Sequence, residues 1–332
     1  MRNSRITQAL YTPYTLAFNC HVQAFLSIAS EVILATLVKP VKYERELFKF
    51  KDGGTTALDW ALYKGEGIPK ASSKKAPILA LFSGLTGGND KLYIYSMIEA
   101  ATKAGYKCVV VNYRGTADVP LATSDVYWLH SWRDVKEPLD YIYSKYCLEE
   151  GSRETRSLYA YGVSLGCNMV SLYLANEGAK CPLRGAGNFC AFYKLEENAH
   201  FFKNNAFSLY DKALGLNFYY NVVRPQFPQL RELIGGERCE ELERKLYDNR
   251  FSMQDMHYMA MLPFVGFENS KEFDKVAELQ GRLHDIKVPT FFLNSSDDII
   301  YGDDMITRKE FEGCSENVLL ATTKRGGHCG YL

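Results

Sequence analysis

The sequence has no excess of either charge and no long apolar run, and both absences restrict what the protein can do. It contains 39 Lys and Arg residues and 39 Asp and Glu residues. Because balanced charge leaves no overall field to hold a polyanion, a nucleic-acid partner is disfavoured. The most apolar stretch, residues 25–38, is interrupted by Glu31 and is shorter than the ~20 residues that cross a bilayer. We therefore predict no membrane-spanning helix.

Paired cysteine motifs and a signal-peptide pattern are also missing. The nine cysteines are scattered and none forms a C-x-x-C pair, which argues against a zinc ribbon and against a disulfide framework. The N-terminus lacks the basic, apolar and small-residue order of a signal peptide. We expect a reducing compartment, with the protein cytoplasmic or in peripheral contact with a membrane. Residues 1–42 are predicted to form a helical segment packed on the body or lying on the membrane surface.

What the sequence does contain is a regular alternation of short apolar strands and amphipathic segments. The strands are predicted at residues 77–82, 108–113, 158–162, 289–293 and 317–322. Such alternation is typical of an α/β protein whose mostly parallel central sheet is flanked by helices. Residues 45–50 and 55–62 surround an Asp-Gly-Gly turn and predict an antiparallel hairpin before the first parallel strand.

The alternation stops between residues 196 and 282, where aromatic residues and methionines follow an irregular helical pattern. We predict that residues 196–282 are a helical cap inserted into a core made of residues 43–195 and 283–332. Apolar side chains of this cap could line a tunnel for an acyl chain, although packing against the core is the expectation for most of them. These residues are Met253, Met256, Met259, Met261, Phe264 and Phe267.

The clearest local motif is G-x-S-x-G at residues 162–166, directly after a predicted strand and directly before a predicted helix. A serine hydroxyl can attack a substrate when a sharp strand-to-helix turn lifts it above its surroundings. Flanking glycines allow the close backbone approach that such a turn requires. The motif therefore predicts Ser164 as a nucleophile.

A serine at neutral pH needs a base, and a carboxylate must orient that base. Asp297 follows the strand at residues 289–293, and we select it as the acid; Asp298 remains the alternative because sequence does not fix one residue of register. His328 lies between glycines just after the strand at residues 317–322. The order nucleophile, acid, histidine is that of an α/β-hydrolase triad.

Acyl transfer also needs backbone donors aimed at the developing oxyanion. The amide of Leu165, directly after the serine, is one candidate, and Leu85 in the glycine-rich segment 83–88 is the other, with Thr86 left open as its neighbour. This segment has neither G-x-G-x-x-G spacing nor a following Lys-Ser or Lys-Thr pair, so a nucleotide site is disfavoured. We expect no cofactor and no metal.

The sequence resembles the α/β-hydrolase-domain family of serine esterases, acylglycerol lipases and phospholipases. The resemblance implies a triad of Ser164, Asp297 and His328, no metal, and acyl ester substrates, with several members working at membranes. Two departures are Ile299, where the family usually has proline, and Cys167, where glycine is common. The segments that carry the resemblance are residues 18–23, 52–54, 58–61, 84–88, 112–115, 162–168 and 326–328.

We therefore expect a carboxylic ester hydrolase that acts on acylglycerols or other small or lipid esters through an acyl-enzyme. One alternative is an acyltransferase, which uses the same triad and differs in the nucleophile that resolves the acyl-enzyme. Another is a hydrolase fold without catalysis that acts as a binding protein. The presence of all three triad residue types favours the enzyme.

Overall fold

A computed structural model describes residues 19–23, 41–62, 67–69, 75–149 and 153–331. Most of the helical segment predicted for residues 1–42 therefore lies outside the described residues. Within the described residues, no helix combines the length and the apolar character needed to cross a bilayer.

One large sheet organises the chain. Its eight strands lie in the spatial order β1-β2-β4-β3-β7-β8-β9-β10, and a separate small sheet pairs β5 with β6. The strands are β1 (Tyr43–Lys49), β2 (Thr55–Ala61), β3 (Ile78–Phe82), β4 (Lys107–Val111), β5 (Leu148–Glu149), β6 (Arg153–Glu154), β7 (Leu158–Val163), β8 (Gly185–Phe189), β9 (Thr290–Ser295) and β10 (Val318–Thr323).

Most neighbouring strands of the large sheet are parallel, as the alternating sequence pattern predicts. The pairs β3 with β4, β3 with β7, β7 with β8, β8 with β9 and β9 with β10 are all parallel. The predicted hairpin is confirmed as the antiparallel pair β1 and β2, and β2 also joins β4 in antiparallel fashion. The fold class predicted from the sequence is therefore confirmed.

Helices connect the parallel strands and cover the sheet. The strand-to-strand connections contain α1 (Leu92–Lys103), α2 (Arg133–Ile142) and α3 (Leu165–Glu177), and α11 (Arg308–Gly313) lies between β9 and β10. Shorter helical turns complete these connections. They are the π-type segment Tyr143–Cys147 and the 3-10 segments Gly178–Lys180, Leu283–Asp285 and Asp303–Met305.

Between β8 and β9 the described chain is helical. The division into a core and a cap with the bounds 196–282 stays a prediction. The α-helices of this stretch are α4 (Leu195–Asn204), α5 (Leu209–Phe218), α6 (Phe227–Ile234), α7 (Gly236–Asp248), α8 (Met253–Met256), α9 (Leu262–Phe264) and α10 (Ser270–Ala277). The 3-10 segments Asn205–Ser208 and Arg224–Gln226 and the π-type segments Tyr219–Val223 and His257–Met261 join them.

The sheet is buried on both faces, as β3 illustrates. Ala80 and Phe82 pack into one apolar cluster, whereas Leu81, between them, packs into a second cluster with Ile94 and Ile98 of α1. Successive side chains of a strand point to opposite faces, so a strand covered by helices on both sides must be apolar throughout. This requirement explains the continuous apolar run that marks β3 in the sequence.

A buried carboxylate ties the hairpin to the sheet and to the loop after β3. Asp59 of β2 accepts hydrogen bonds from Arg45 at 2.7 and 2.9 Å, from Asn89 at 2.6 Å and from Asn112 at 2.8 Å. Its side chain is 1% exposed. Because four donors meet one buried acceptor group, Asp59 fixes the relative position of three chain segments.

Replacing Asp59 by alanine is expected to lower the free energy of unfolding by about 2 to 4 kcal/mol, because buried donors lose their acceptor. Arg45 is 37% exposed, so water can replace its lost acceptor. Most of the loss in free energy of unfolding therefore comes from Asn89 and Asn112, whose amide groups are left without this acceptor. Urea unfolding of the variant measures the loss. The control is Asp248→Ala, since Asp248 is 57% exposed and its removal should cost less than about 0.5 kcal/mol. Equal losses for the two variants would contradict this account.

Candidate active site

Ser164 lies on a strained turn between β7 and α3. Its backbone has φ 54° and ψ −119°, a conformation that non-glycine residues rarely adopt. The flanking glycines leave no room for a side chain: a Cβ on Gly162 would lie 2.7 Å from the Gly166 oxygen, and one on Gly166 would lie 2.5 Å from the Phe82 and Ser83 oxygens. The motif therefore forms the tight strand-to-helix turn that the sequence predicts.

The loop after β3 passes directly beside this serine. A Cβ on Gly84 would lie 3.3 Å from Ser164 Cβ and 3.7 Å from its Oγ. The amide of Gly166 donates to the Ser83 oxygen at 3.1 Å, and the Gly84 amide donates to the Tyr93 hydroxyl at 3.0 Å. The loop and the turn are thus held together, with the serine hydroxyl between them.

His328 reaches the serine from the loop after β10. Its Nε2 lies 2.9 Å from Ser164 Oγ, which is hydrogen-bond distance. The ring of Phe192 stacks on the imidazole with centroids 5.7 Å apart. The imidazole is therefore held in a fixed plane and can accept the serine proton.

The carboxylate at this histidine is Asp298, and the expectation that Asp297 would make the contact is wrong. The Asp298 oxygens lie 2.9 and 3.1 Å from His328 Nδ1, and the Asp298 side chain is fully buried. The backbone amide of Ile300 donates to Asp298 Oδ1 at 2.7 Å and fixes the carboxylate. Ser164, His328 and Asp298 thus form one continuous hydrogen-bonded series.

Asp297 has a different place, at the base of the histidine loop. Its Oδ1 accepts hydrogen bonds from Ser295 Oγ at 2.5 Å and from the Gly327 amide at 2.9 Å. These two bonds turn Asp297 away from the imidazole and tie the loop after β9 to the loop that carries His328. The two adjacent aspartates therefore make different contacts. Asp297 holds the histidine loop through the Gly327 amide, and Asp298 contacts the imidazole of His328.

A short N-terminal segment, residues 19–23, also packs against the histidine loop. A Cβ on Gly330 would lie 3.1 Å from Gln23 Cβ, and one on Gly327 would lie 3.5 Å from the Cys20 oxygen. This segment contains most of the first stretch on which the family resemblance depends. Its position gives that stretch a structural role beside the site.

The pKa of His328 reflects two opposing effects. Burial lowers it, but the charge of Asp298 and the hydrogen bond to that carboxylate outweigh burial and raise the pKa to about 8. The protonated imidazole is therefore stabilised beside Asp298, which is what a base needs once it has taken the serine proton.

The two backbone donors expected for an oxyanion, Leu165 and Leu85, lie beside Ser164 around one cavity. The amide of Leu165 is at the N-terminus of α3, where backbone N–H groups lack partners in the helix. In the described residues, neither of these two amides donates a hydrogen bond, whereas the Gly166 and Gly87 amides do. The arrangement is compatible with oxyanion binding by Leu165 and Leu85.

The cavity extends from Ser164 into the helices between β8 and β9 and has mainly apolar walls. Of the methionines considered for a tunnel, Met253 lines it; Met256 and Met261 are buried in the core, and Met259 is 59% exposed. Sequence reasoning missed the polar residues on the same walls. Among them are Asn198, Gln254, His257, Tyr258 and Asp274, which belong to no motif.

One set of possible metal ligands lies within the described residues. It comprises Cys190, His328 and Cys329, whose ligand atoms lie within 4.8 Å of one another. Both nitrogens of His328 already contact Asp298 and Ser164, and Cys190 Sγ accepts from the Cys329 amide at 3.3 Å. Binding a metal here would break the series that connects the serine to the carboxylate, so the donor set does not fit a metal that cooperates with it.

The sequence is similar to that of known proteins over most of its length. No family model matches the sequence. Over 303 residues it is 28% identical to human phospholipase ABHD3, covering 88% of this chain and 68% of that protein. Over 299 residues it is 29% identical to embryogenesis-associated protein EMB8 of Picea glauca, with 88% and 62% covered. The chain is thus similar to proteins that include a phospholipase of the α/β-hydrolase-domain family.

The alignment leaves part of these relatives unmatched, since the chain spans less than two thirds of the Picea glauca protein. Among solved structures, the α/β hydrolase GrgF from Penicillium sp. sh18 matches with a TM-score of 0.51 and 13% identity. The match covers 86% of this chain and 91% of GrgF. That likeness shows the fold, which is the one expected for the family.

The contact between His328 and Asp298 can be tested without an activity assay. We expect Asp298→Asn to lower the pKa of His328 from about 8 to below 6.5, because the burial that disfavours the imidazolium remains while the compensating charge is lost. Titration of the imidazole by NMR measures this shift. The matched control is Asp297→Asn, which should change the pKa much less; a larger shift in the control would contradict the assignment.

Proposed function

We propose that the protein is a carboxylic ester hydrolase that uses Ser164, His328 and Asp298 as a catalytic triad. The observation that carries the proposal is the series of hydrogen bonds from Ser164 Oγ through the imidazole to Asp298, each at 2.9 Å. The strained turn at Ser164 supports it, because backbone strain of this kind is retained where it serves a site. Similarity to human phospholipase ABHD3 over 88% of the chain supports the same reaction class.

The proposed mechanism begins with proton transfer. His328 Nε2 takes the proton of Ser164 as the oxygen attacks the ester carbonyl, and Asp298 stabilises the imidazolium that forms. The amides of Leu165 and Leu85 bind the oxyanion of the tetrahedral intermediate. The imidazolium then protonates the leaving alcohol. In the second half, His328 activates a water that releases the acyl group and restores the serine.

We propose lipid esters, including acylglycerols, as the substrate class. The cavity beside Ser164 has mainly apolar walls, formed by residues such as Phe192, Phe202 and Leu214. Because burying an acyl chain in such a cavity removes apolar surface from water, each additional methylene placed there adds about 0.8 kcal/mol of binding. An apolar acyl chain therefore suits the cavity better than a polar one.

Removal of the nucleophile is the direct test. We expect Ser164→Ala to lower kcat toward p-nitrophenyl butyrate by about 10⁴ to 10⁶, because the hydroxyl that attacks the ester is gone. Asp298→Ala should lower kcat by about 10⁴, and the control Asp297→Ala by far less, since Asp297 does not contact the imidazole. Retention of parental turnover by Ser164→Ala would refute the proposal.

The pKa of His328 predicts the pH dependence of the reaction. The base must be neutral to accept a proton, and its pKa of about 8 means that most of it is protonated at pH 7. We expect kcat/KM to rise about tenfold per pH unit at low pH and to level off above about pH 8. Measurement of kcat/KM for p-nitrophenyl butyrate as a function of pH tests this rise. A plateau of kcat/KM reached already at pH 6 would contradict this role of His328.

A further inference from the structure

Asn198 of α4 is a buried polar side chain that the proposed mechanism does not use. It is 6% exposed and lines the same cavity as Ser164. Neither its Oδ1 nor its Nδ2 has a hydrogen-bond partner within the part of the chain that the structure describes. Burying an amide without partners is unfavourable, so each such group in a folded protein calls for an explanation. A ligand that enters the cavity can supply the missing hydrogen bonds.

A second polar group on the cavity wall has a fixed orientation. Trp128 Nε1 donates to His257 Nδ1 at 3.0 Å, so Nδ1 is the acceptor and the ring proton is on Nε2. Burial lowers the pKa of His257 to about 4, which keeps the ring neutral at physiological pH. His257 also lines the cavity, and its Nε2–H has no acceptor among the described residues. It therefore offers one donor to a ligand.

The elements that carry these two residues are fastened to each other. Lys203 of α4 forms an ion pair with Asp255 of α8 at 2.6 Å, and α8 leads directly into the segment that begins at His257. The other end of α4 is fixed by the Leu195 amide, which donates to Glu278 at 3.0 Å. Asn198 and His257 thus lie on a part of the cavity wall that an ion pair and a hydrogen bond hold in place.

The charge around the cavity indicates which ligand group fits. Asp274 lines the same wall, and burial together with the carboxylates of Glu278, Glu196 and Glu197 raises its pKa to about 6. At neutral pH this wall is therefore negative, which disfavours a phosphate or carboxylate group. A hydroxyl is neutral and both donates and accepts, so it can satisfy an amide and an imidazole N–H.

We propose that Asn198 and His257 form a polar subsite that hydrogen-bonds a hydroxyl group of the ester substrate. The inference rests on the proposed function, because the subsite acts only if Ser164 attacks an ester bound in this cavity. The hydroxyl belongs either to the alcohol part of the ester or to the acyl chain. A site built to bind a hydroxyl discriminates against a substrate that lacks it, because its own polar groups are then left without partners.

The test compares esters that differ only in hydroxyl groups. For the alcohol part the pair is 1-octanoylglycerol and propyl octanoate; for the acyl part it is propyl 3-hydroxyoctanoate and propyl octanoate. We expect the parent enzyme to prefer one hydroxylated ester by at least about tenfold in kcat/KM. Asn198→Leu should abolish that preference, because the hydroxyl of the bound ester then loses its amide partner.

The control is Asn204→Leu, the same substitution on an exposed position of α4. It should leave the preference intact. Asn198→Leu should also keep or raise the melting temperature, because it removes an amide without partners. Asn198→Ala is the second variant in case leucine does not fit, and it should show the same loss of preference.

Equal effects of both Asn198 variants on hydroxylated and plain esters would overturn the subsite, as would a parent enzyme with no preference in either pair. These results are separate from failure of the proposed function. If the parent hydrolyses propyl octanoate and Ser164→Ala does not, the hydrolase assignment stands whatever the outcome for Asn198. If hydrolysis persists in Ser164→Ala, the proposed function itself fails.

Discussion

The close approach between the turn at Ser164 and the loop after β3 is the constraint on which the site depends. Gly166 touches the Phe82 and Ser83 oxygens so closely that no side chain can stand there, and Gly162 is equally closely packed against the start of α3. Between these two glycines, the backbone at Ser164 has a positive φ of 54°. Ser164 lines the cavity together with Leu165 and Leu85, the residues whose amides are the expected oxyanion donors.

The other two residues of the hydrogen-bonded series, His328 and Asp298, come from the far edge of the same sheet. β9 and β10 are parallel and in register from Thr290 and Val318 to Ser295 and Thr323, so the loops that follow them start side by side. Asp297 joins those loops through the Gly327 amide, and Asp298 contacts the imidazole that the second loop carries. Parallel pairing therefore brings together residues that are far apart in the sequence, as expected for a site at the carboxyl ends of the strands.

The sequence was sufficient to predict the parts of the fold that have strong periodicity. β3, β4, β7, β9 and β10 are short apolar runs, and each lies within a few residues of its predicted position. β8 was missed because Gly185 and Gly187 give it the composition of a loop. In the folded chain β8 pairs with β7 and β9, and a Cβ on Gly185 would lie 3.3 Å from the Pro289 oxygen and 3.4 Å from the Tyr159 ring. Tertiary packing, which composition does not reveal, makes it a strand.

The site was predictable where a motif marked it and not where loop geometry decided it. Ser164 and His328 follow from G-x-S-x-G and from their places after strands. The choice between Asp297 and Asp298 depends on loop geometry, because Ser295 Oγ and the Gly327 amide donate hydrogen bonds to Asp297. The polar side chains on the cavity wall had no sequence signal, since Asn198 is an ordinary residue for a partly buried helix. They became visible only once burial and hydrogen-bond partners were known.

The most direct test of the catalytic assignment is covalent labelling with a fluorophosphonate, followed by peptide mass spectrometry. The account predicts a single adduct on Ser164 that forms rapidly in the parent protein and much more slowly when His328 is replaced by alanine, since the serine then lacks its base. An adduct on another residue, or a labelling rate at Ser164 that does not depend on His328, would contradict it.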